Sequence, residues 1–565
     1  MTGIATGVSE APLSEKVQER KQATSAMTRP SESSSDSDNE VERGIAKPVY
    51  DHTRRKLKPR HIQLIGIAGT IGTALFVNIG KGLLNGGPGS LFIAFTLWCP
   101  VILLVTFCMS EMVTYLPISS PFIRFADRYV DEAFGVAAGY NFFLFQASLV
   151  PYEITVCNTI IHYWTDKIPV VAVVAIFLVL YALLNFFAVS YYGESEFWLS
   201  IGKVILITGL ILYTFITMLG GNPEHDRFGF RYWQNPGAFA EYIATGDEGR
   251  FLGFVACLVQ AAFTIAGPEY VSMTAGEAEN PREVLPKAYH SIFYRLTAFF
   301  VLGSLAVGIN VPYNDANLEA AYANSAPGAA ASPYVRAMTR LHIKVLPDIV
   351  NAIILTSAFS AGNSTLFTST RSLYGLALEG KAPRILTKCT RSGVPYLCVS
   401  VVFAISMLAF LQVSNSSAVV LNWFVSLVTA SQLINFCVIT FTYTRFYAAC
   451  KAQGISRDSL PYKGKFQPYS AWIAFWACFV MTLVNGWTVF TKGNWGVADF
   501  LFDYMMVGVF PVLFIGWKVV KKTKWKKPEE VDLVSGVDEI EEYTRNYVPD
   551  PKRSKAGLIL DKVFG

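Results

Sequence analysis

Apolar runs of about 20 residues recur along this chain, separated by short stretches that hold most of the charge. A helix needs about 20 apolar residues to cross roughly 30 Å of hydrocarbon. The pattern therefore predicts spanning helices at 62–82, 90–114, 133–160, 167–190, 197–220, 252–272, 289–311, 346–376, 395–413, 417–442, 470–491 and 500–520. The third and eighth runs are longer than a crossing needs, which predicts helices that tilt or project from the bilayer. The fold class that follows is an all-α polytopic membrane protein with about 12 transmembrane helices.

The polar stretches set the organisation. Residues 1–58 read as a disordered tail, since Ser31-Glu32-Ser33-Ser34-Ser35-Asp36-Ser37-Asp38 cannot bury enough apolar area to offset chain entropy. No apolar stretch there resembles a cleavable signal. Residues 59–521 read as one transmembrane domain without a Pro/Gly/Ser-rich linker, and 522–565 as a second tail. Connectors after even-numbered helices are basic (Arg124, Arg128; Lys381, Lys388, Arg391; Arg445, Lys451, Arg457, Lys463, Lys465), as is the last flank from Lys518 to Lys527. The fourth connector adds little, its own charges being Glu194 and Glu196, with Lys203 just beyond. Connectors after odd-numbered helices are short or acidic, as in Glu224-His225-Asp226. The positive-inside rule then puts both tails in the cytosol, which requires an even number of spans.

Composition narrows the function. Of 565 residues, 52% are hydrophobic and 16% charged, against about 25% charged in soluble domains. The net charge of +5 sits at membrane boundaries, not on a folded surface domain, which argues against nucleic acid as a partner. Among nine cysteines, Cys99, Cys108, Cys157, Cys257, Cys437 and Cys478 fall in apolar runs without Cys/His spacing. They read as small apolar side chains rather than zinc ligands, and no metal or cofactor is expected.

Two spans carry breaks. Gly66-Ile67-Ala68-Gly69-Thr70-Ile71-Gly72-Thr73-Ala74-Leu75 puts three glycines and two threonines inside the first. Close helix packing is one reading. The other is an unwound turn at Gly69, Thr70, Ile71, Gly72 and Thr73 whose N–H groups receive a carboxylate. In the sixth span, Phe263-Thr264-Ile265-Ala266-Gly267-Pro268-Glu269 places Gly-Pro inside an apolar run, where proline removes a donor and frees carbonyls for a substrate ammonium. Breaks five segments apart are what two inverted five-helix repeats give. Three ionisable residues join them: Glu153 in the third span, Lys203 near the start of the fifth, and Glu269 after the sixth-span break. A charge in hydrocarbon faces a cavity or a partner; internal ion pairing, snorkelling of Lys203 and masking of Glu269 by its own turn are the alternatives.

At these residues the chain resembles the fungal amino-acid permeases of the amino acid–polyamine–organocation superfamily. The resemblance covers about 58–530 and rests on stretches such as Arg60-His61-Ile62-Gln63-Leu64-Ile65, Ser110-Glu111-Met112, Tyr192-Gly193-Glu194-Ser195-Glu196-Phe197-Trp198 and Ala275-Gly276-Glu277-Ala278-Glu279-Asn280-Pro281-Arg282. Gly220-Gly221-Asn222-Pro223 and Val311-Pro312-Tyr313-Asn314-Asp315 look most like proline permeases and a related neutral and basic amino-acid group. The resemblance implies a proton-coupled plasma-membrane importer, not an enzyme, with a five-plus-five inverted repeat, broken helices 1 and 6, and two further helices. It implies substrate carboxylate at Gly69 to Gly72, amino group at carbonyls from Phe263 to Gly267, and Lys203 or Glu153 as the proton site. Departures at Ala74, Pro268 and Tyr443-Thr444-Arg445-Phe446 bear on substrate range.

The expected activity is uptake of neutral amino acids, proline included, with basic ones admitted if Glu153 or Glu269 pairs with a cationic side chain. A sensor that kept the site but lost transport and, more remotely, an ion channel are the other classes. Ser33, Ser34, Ser35 and Ser37, as phosphate acceptors, and Lys16, Lys21 and Lys47, as ubiquitin acceptors, predict recruitment of ubiquitin ligase machinery to the N-terminal tail.

Overall fold

Helices form where the apolar runs lie, and they end at glycine, proline or clustered polar residues. The computed structural model describes Leu57, Ile62, Gln63, Gly66 and residues 72–187, 189–324, 332–390 and 393–547. Among these, nine helical stretches are long and apolar enough to cross a bilayer, and two shorter ones, Val170–Phe186 and Tyr469–Val484, are apolar as well. The first stretch, Ala74–Tyr115, is two helices joined at Gly87, whose φ of 77° lies in the left-handed region that glycine tolerates. Twelve segments result, as the pattern of apolar runs predicts.

In chain order they are α1 (74–86, opening on the π-helical turn Ala74–Asn78), α2 (88–115), α3 (Glu132–Ile161), α4 (Val170–Phe187), α5 (Val189–Met218) and α6 (Gly246–Thr264, resuming as Pro268–Met273). Then come α7 (Pro281–Arg295, continued to Asn310 through a π-helical turn), α8 (Leu346–Leu378), α9 (Tyr396–Ser406), α10 (Ser417–Ala452), α11 (Tyr469–Val484) and α12 (Val497–Lys521). Several boundaries differ from the sequence reading, among them the start of α7 at Pro281 rather than 289 and the end of α11 at Val484 rather than 491. α5 starts at Val189, so Glu194 and Glu196 belong to the helix and Lys203 lies well inside it, not near its start. α10 runs past 442 to Ala452, because Arg445 ends the apolar run without ending the helix. Its guanidinium donates to the Lys526 carbonyl at 2.6 Å.

The helices pack in two groups, α1, α2, α6 and α7 in one and α3, α8 and α10 in the other. Small residues allow the closest crossings, as they do generally in membranes. A Cβ on Gly86 would lie 2.6 Å from the Gly253 carbonyl oxygen and 2.4 Å from Cys257 Sγ, so α1 and α6 meet backbone to backbone. Cys99, Cys108, Cys157, Cys257 and Cys478 are buried and Cys437 half-buried, all as free thiols. α12 keeps Val512, Ile515, Val519 and Val520 on the surface, as expected of a helix whose outer side meets lipid.

Contacts between connectors sort them by face. Leu57 pairs through its backbone with Glu277 and Glu279, at 2.9 Å each way. Arg124 pairs with Glu379 at 3.0 Å and Lys381 with Asp127 at 2.7 Å. Glu111, 1% exposed at the end of α2, takes a two-pronged bond from Arg457 (2.8 and 2.7 Å) and the Gly464 N–H (2.7 Å). The segment after α12 folds back over this face. Tyr115 donates to the Leu533 carbonyl, Arg128 to those of Asp532 and Ser535, and Gln453 to those of Pro528 and Val531. Val531, Leu533, Val537 and Ile540 are buried beneath it. Connectors after even-numbered helices and both ends of the described chain thus share one face, here the tail face. Opposite, Asp315 pairs with Arg336 at 2.7 Å. Burial pushes the Asp315 carboxyl up, but Arg336 and the Leu318 N–H outweigh it and hold it below its usual range.

Candidate functional site

At the first break Gly72 is non-helical, and Thr73, already in helical conformation (φ −59°, ψ −22°), leads into the π-helical turn of α1. A Cβ on Gly72 meets nothing within 4 Å among the described residues. Gly69, Thr70 and Ile71 lie outside the described residues. Thr73 is fully buried and donates to Glu153 Oε2 at 2.8 Å. Glu153 is 4% exposed. Glycine at 362 lets α8 close over it, since a Cβ there would stand 3.2 Å from the Glu153 Cβ and would strike the Tyr181 hydroxyl.

At the second break α6 stops at Thr264, Ile265 is extended (φ −95°, ψ 102°), and Pro268 opens the next helical piece. Proline suits that position, since the N–H it lacks would have no helical partner. The break leaves carbonyls without helical donors. Gln432 of α10 supplies two, reaching the Ala262 and Ile265 oxygens at 3.2 Å each. Glu269 turns back to accept from the Gly267 N–H at 3.3 Å, the masking arrangement named among the alternatives, while its Oε1 has no partner among the described residues. Phe263 is 5% exposed and meets Tyr152 edge-on, with centroids 5.3 Å apart. Tyr152 and Glu153 are neighbours in α3. The two breaks therefore converge on one turn of that helix, Thr73 through Glu153 and Phe263 through Tyr152.

Lys203 is 1% exposed, which removes snorkelling to an interface as its role. Its ammonium stands 3.9 Å from Glu196 Oε1 and makes no hydrogen bond among the described residues. Ser360 of α8 donates to the other Glu196 oxygen at 2.9 Å. Lys203 also acts electrostatically on Glu153. The structure thus brings together Thr73, Glu153, Phe263 and Lys203, and places Glu269 on its own turn. Sequence reasoning missed Glu196 and Gln432. The signal for Glu196 was its seven-residue spacing from Lys203, which puts both on one face of a helix once α5 is extended to include it. Gln432, one of three amides in its apolar run with Asn422 and Asn435, had none.

Such a site supplies opposed dipoles and buried charges to a small ligand. Among the described residues no group of three or more His, Cys, Asp or Glu is placed to hold a metal. Residues 61–530 match the family described as Amino acid permease. The chain belongs to that family. It is 48% identical to the general amino acid permease AGP2 of Saccharomyces cerevisiae over 87% of this chain and 84% of that one. It is 40% identical to the proline-specific permease of Emericella nidulans (88% and 91% covered) and 39% identical to the lysine-specific permease of S. cerevisiae (92% and 84%). Amino acid permeases are transporters rather than enzymes, which accords with a site of dipoles and charges. Ala74, where many members of the resembling group have glycine, is buried in the π-helical turn beside Thr73.

Proposed function

We propose that this permease imports amino acids across the plasma membrane, driven by the proton gradient, with both chain ends in the cytosol. The observation that carries the reading is the meeting of both helix breaks on the Tyr152–Glu153 turn. A zwitterion needs N–H donors for its carboxylate, supplied from Gly69 to Thr73, and carbonyls for its ammonium, supplied between Phe263 and Gly267. With both charges met by backbone, neutral amino acids including proline fit without a buried countercharge, and Glu153 or Glu269 leaves basic side chains possible. The relatives' names, from general to proline-specific, lysine-specific and dicarboxylic, support amino acids as the substrate class. Protons exchange at Lys203, with Glu153 as the second site.

Purified protein in liposomes accumulates radiolabelled proline only with an inward pH gradient. Neutral amino acids compete about tenfold better than aspartate or glutamate, a difference of about 1.4 kcal/mol in binding. Acidic amino acids emerging as the best inhibitors would overturn the substrate assignment, and gradient-independent accumulation the coupling.

The N-terminal tail, which lies outside the described residues, supports a regulatory role. Ser33, Ser34, Ser35 and Ser37 gain about −1.5 to −2 charges each on phosphorylation. The tail then recruits a ubiquitin ligase to Lys16, Lys21 and Lys47, and endocytosis follows. Deleting residues 1–45 lengthens surface residence under nitrogen excess without changing transport; unchanged turnover would reject the idea.

A further inference from the structure

Lys81 lies on α1 about two turns beyond Thr73, away from the tail face. Its ammonium donates to Asn422 Oδ1 of α10 at 2.7 Å. The carboxylate that acts on it, the buried Asp503 of α12, is not an ion-pair partner. A cavity of about 30 Å³ adjoins Lys81, lined also by Val77, Thr159 of α3, Tyr322 and Asn422. That volume admits water but no amino acid, since ligand pockets begin near about 300 Å³.

Tyr322 closes the cavity. It sits on the connector helix Ala316–Asn324, and its hydroxyl donates to the Val77 carbonyl. Its ring covers Gly80 so closely that a Cβ there would lie 2.7 Å from the Tyr322 hydroxyl oxygen. The walls belong to α1, α3 and α10, the same helices that carry Thr73, Glu153 and Gln432 deeper in the bundle. At 1.5 Å rise per residue the cavity stands roughly 10–15 Å from those groups along the helix axes.

We propose that Lys81, with Asn422 and Thr159, is an outer subsite for the substrate carboxylate, and that Tyr322 is the lid that closes over it. The inference rests on the import reading above. The ammonium and amide present several donors, and the Thr159 hydroxyl, which donates to the Thr155 carbonyl at 3.0 Å, lines the wall. Bonds from a charged donor to a carboxylate are roughly twice as strong as neutral ones. A substrate arriving from outside docks there by its carboxylate when the connector helix lifts. It then passes along α1 to the N–H groups of the break, while Tyr322 returns to the Val77 carbonyl.

The test uses the full chain in liposomes and initial rates of proline uptake, with proline amide, which lacks the carboxylate, as competitor. Lys81→Gln raises KM for proline about tenfold with kcat retained, Lys81→Arg stays near the unmodified protein, and inhibition by proline amide is equal in all three. An unchanged KM in Lys81→Gln, or equal weakening toward proline and its amide, overturns the subsite. Tyr322→Phe keeps the ring and loses only the latch, so exchange of proline with the outside rises severalfold; unchanged exchange overturns the lid. Failure of the unmodified protein to take up any amino acid would remove the import reading and this inference together.

Discussion

Lys203→Met reaches the membrane yet accumulates no more substrate under a pH gradient than protein-free liposomes, while passive exchange of loaded substrate persists. The ammonium of Lys203 is sealed from water, 3.9 Å from Glu196 and in electrostatic contact with Glu153. In the coupling proposed above, protonated Lys203 holds Glu196, which accepts from Ser360 of α8. Under that proposal, loss of the proton releases the tie and lets the two conformations interchange. A methionine cannot cycle in this way. Lys203→Arg fails as well, because guanidinium stays charged throughout the working range. Removing only the cation leaves Glu196 its bond from Ser360, and because the 3.9 Å pair is not hydrogen-bonded the cost falls below the about 3–5 kcal/mol of breaking a buried hydrogen-bonded pair. The double variant Lys203→Met with Glu196→Gln therefore recovers stability and still does not couple. Gradient-driven uptake of all three variants is the measurement. Normal accumulation with normal pH dependence in Lys203→Arg would move the proton site to Glu153.

The second large effect falls on folding. Arg457→Ala strips the two-pronged bond from Glu111, leaving a carboxylate at 1% exposure with the Gly464 N–H as its remaining partner. The expected cost is about 3–5 kcal/mol, a large part of the roughly 5–15 kcal/mol that stabilises a typical domain. The variant loses most of its surface expression and melts at lower temperature in detergent. Glu111→Gln combined with Arg457→Met removes both charges and recovers most of the loss. A single variant that melts normally would show that water reaches Glu111 and that the pair contributes little.

The spans were legible because a bilayer demands apolar length, and few soluble structures repeat that length twelve times. The start of α5 was hidden by Glu194 and Glu196, which read as a polar connector although Glu196 belongs inside with Lys203. The end of α10 was hidden for the same reason, because helix and apolar run need not stop together. In the site, Thr73, Glu153 and Phe263 stood out singly, through a break, a buried charge and a Gly-Pro neighbour. Their meeting on one turn of α3 depends on tertiary contacts between residues 80 or more positions apart, which no local pattern encodes. The chain after α12 looked like a charged tail because its four buried residues, Val531, Leu533, Val537 and Ile540, are too sparse to form an apolar run.

That stretch is synthesised after all twelve helices. Until it arrives, Arg128, Arg445 and Gln453 lack the main-chain oxygens that receive them in the finished protein. A polypeptide released early, or one stopped after Lys521, thus presents bare guanidinium and amide groups around an uncovered apolar patch at Tyr115.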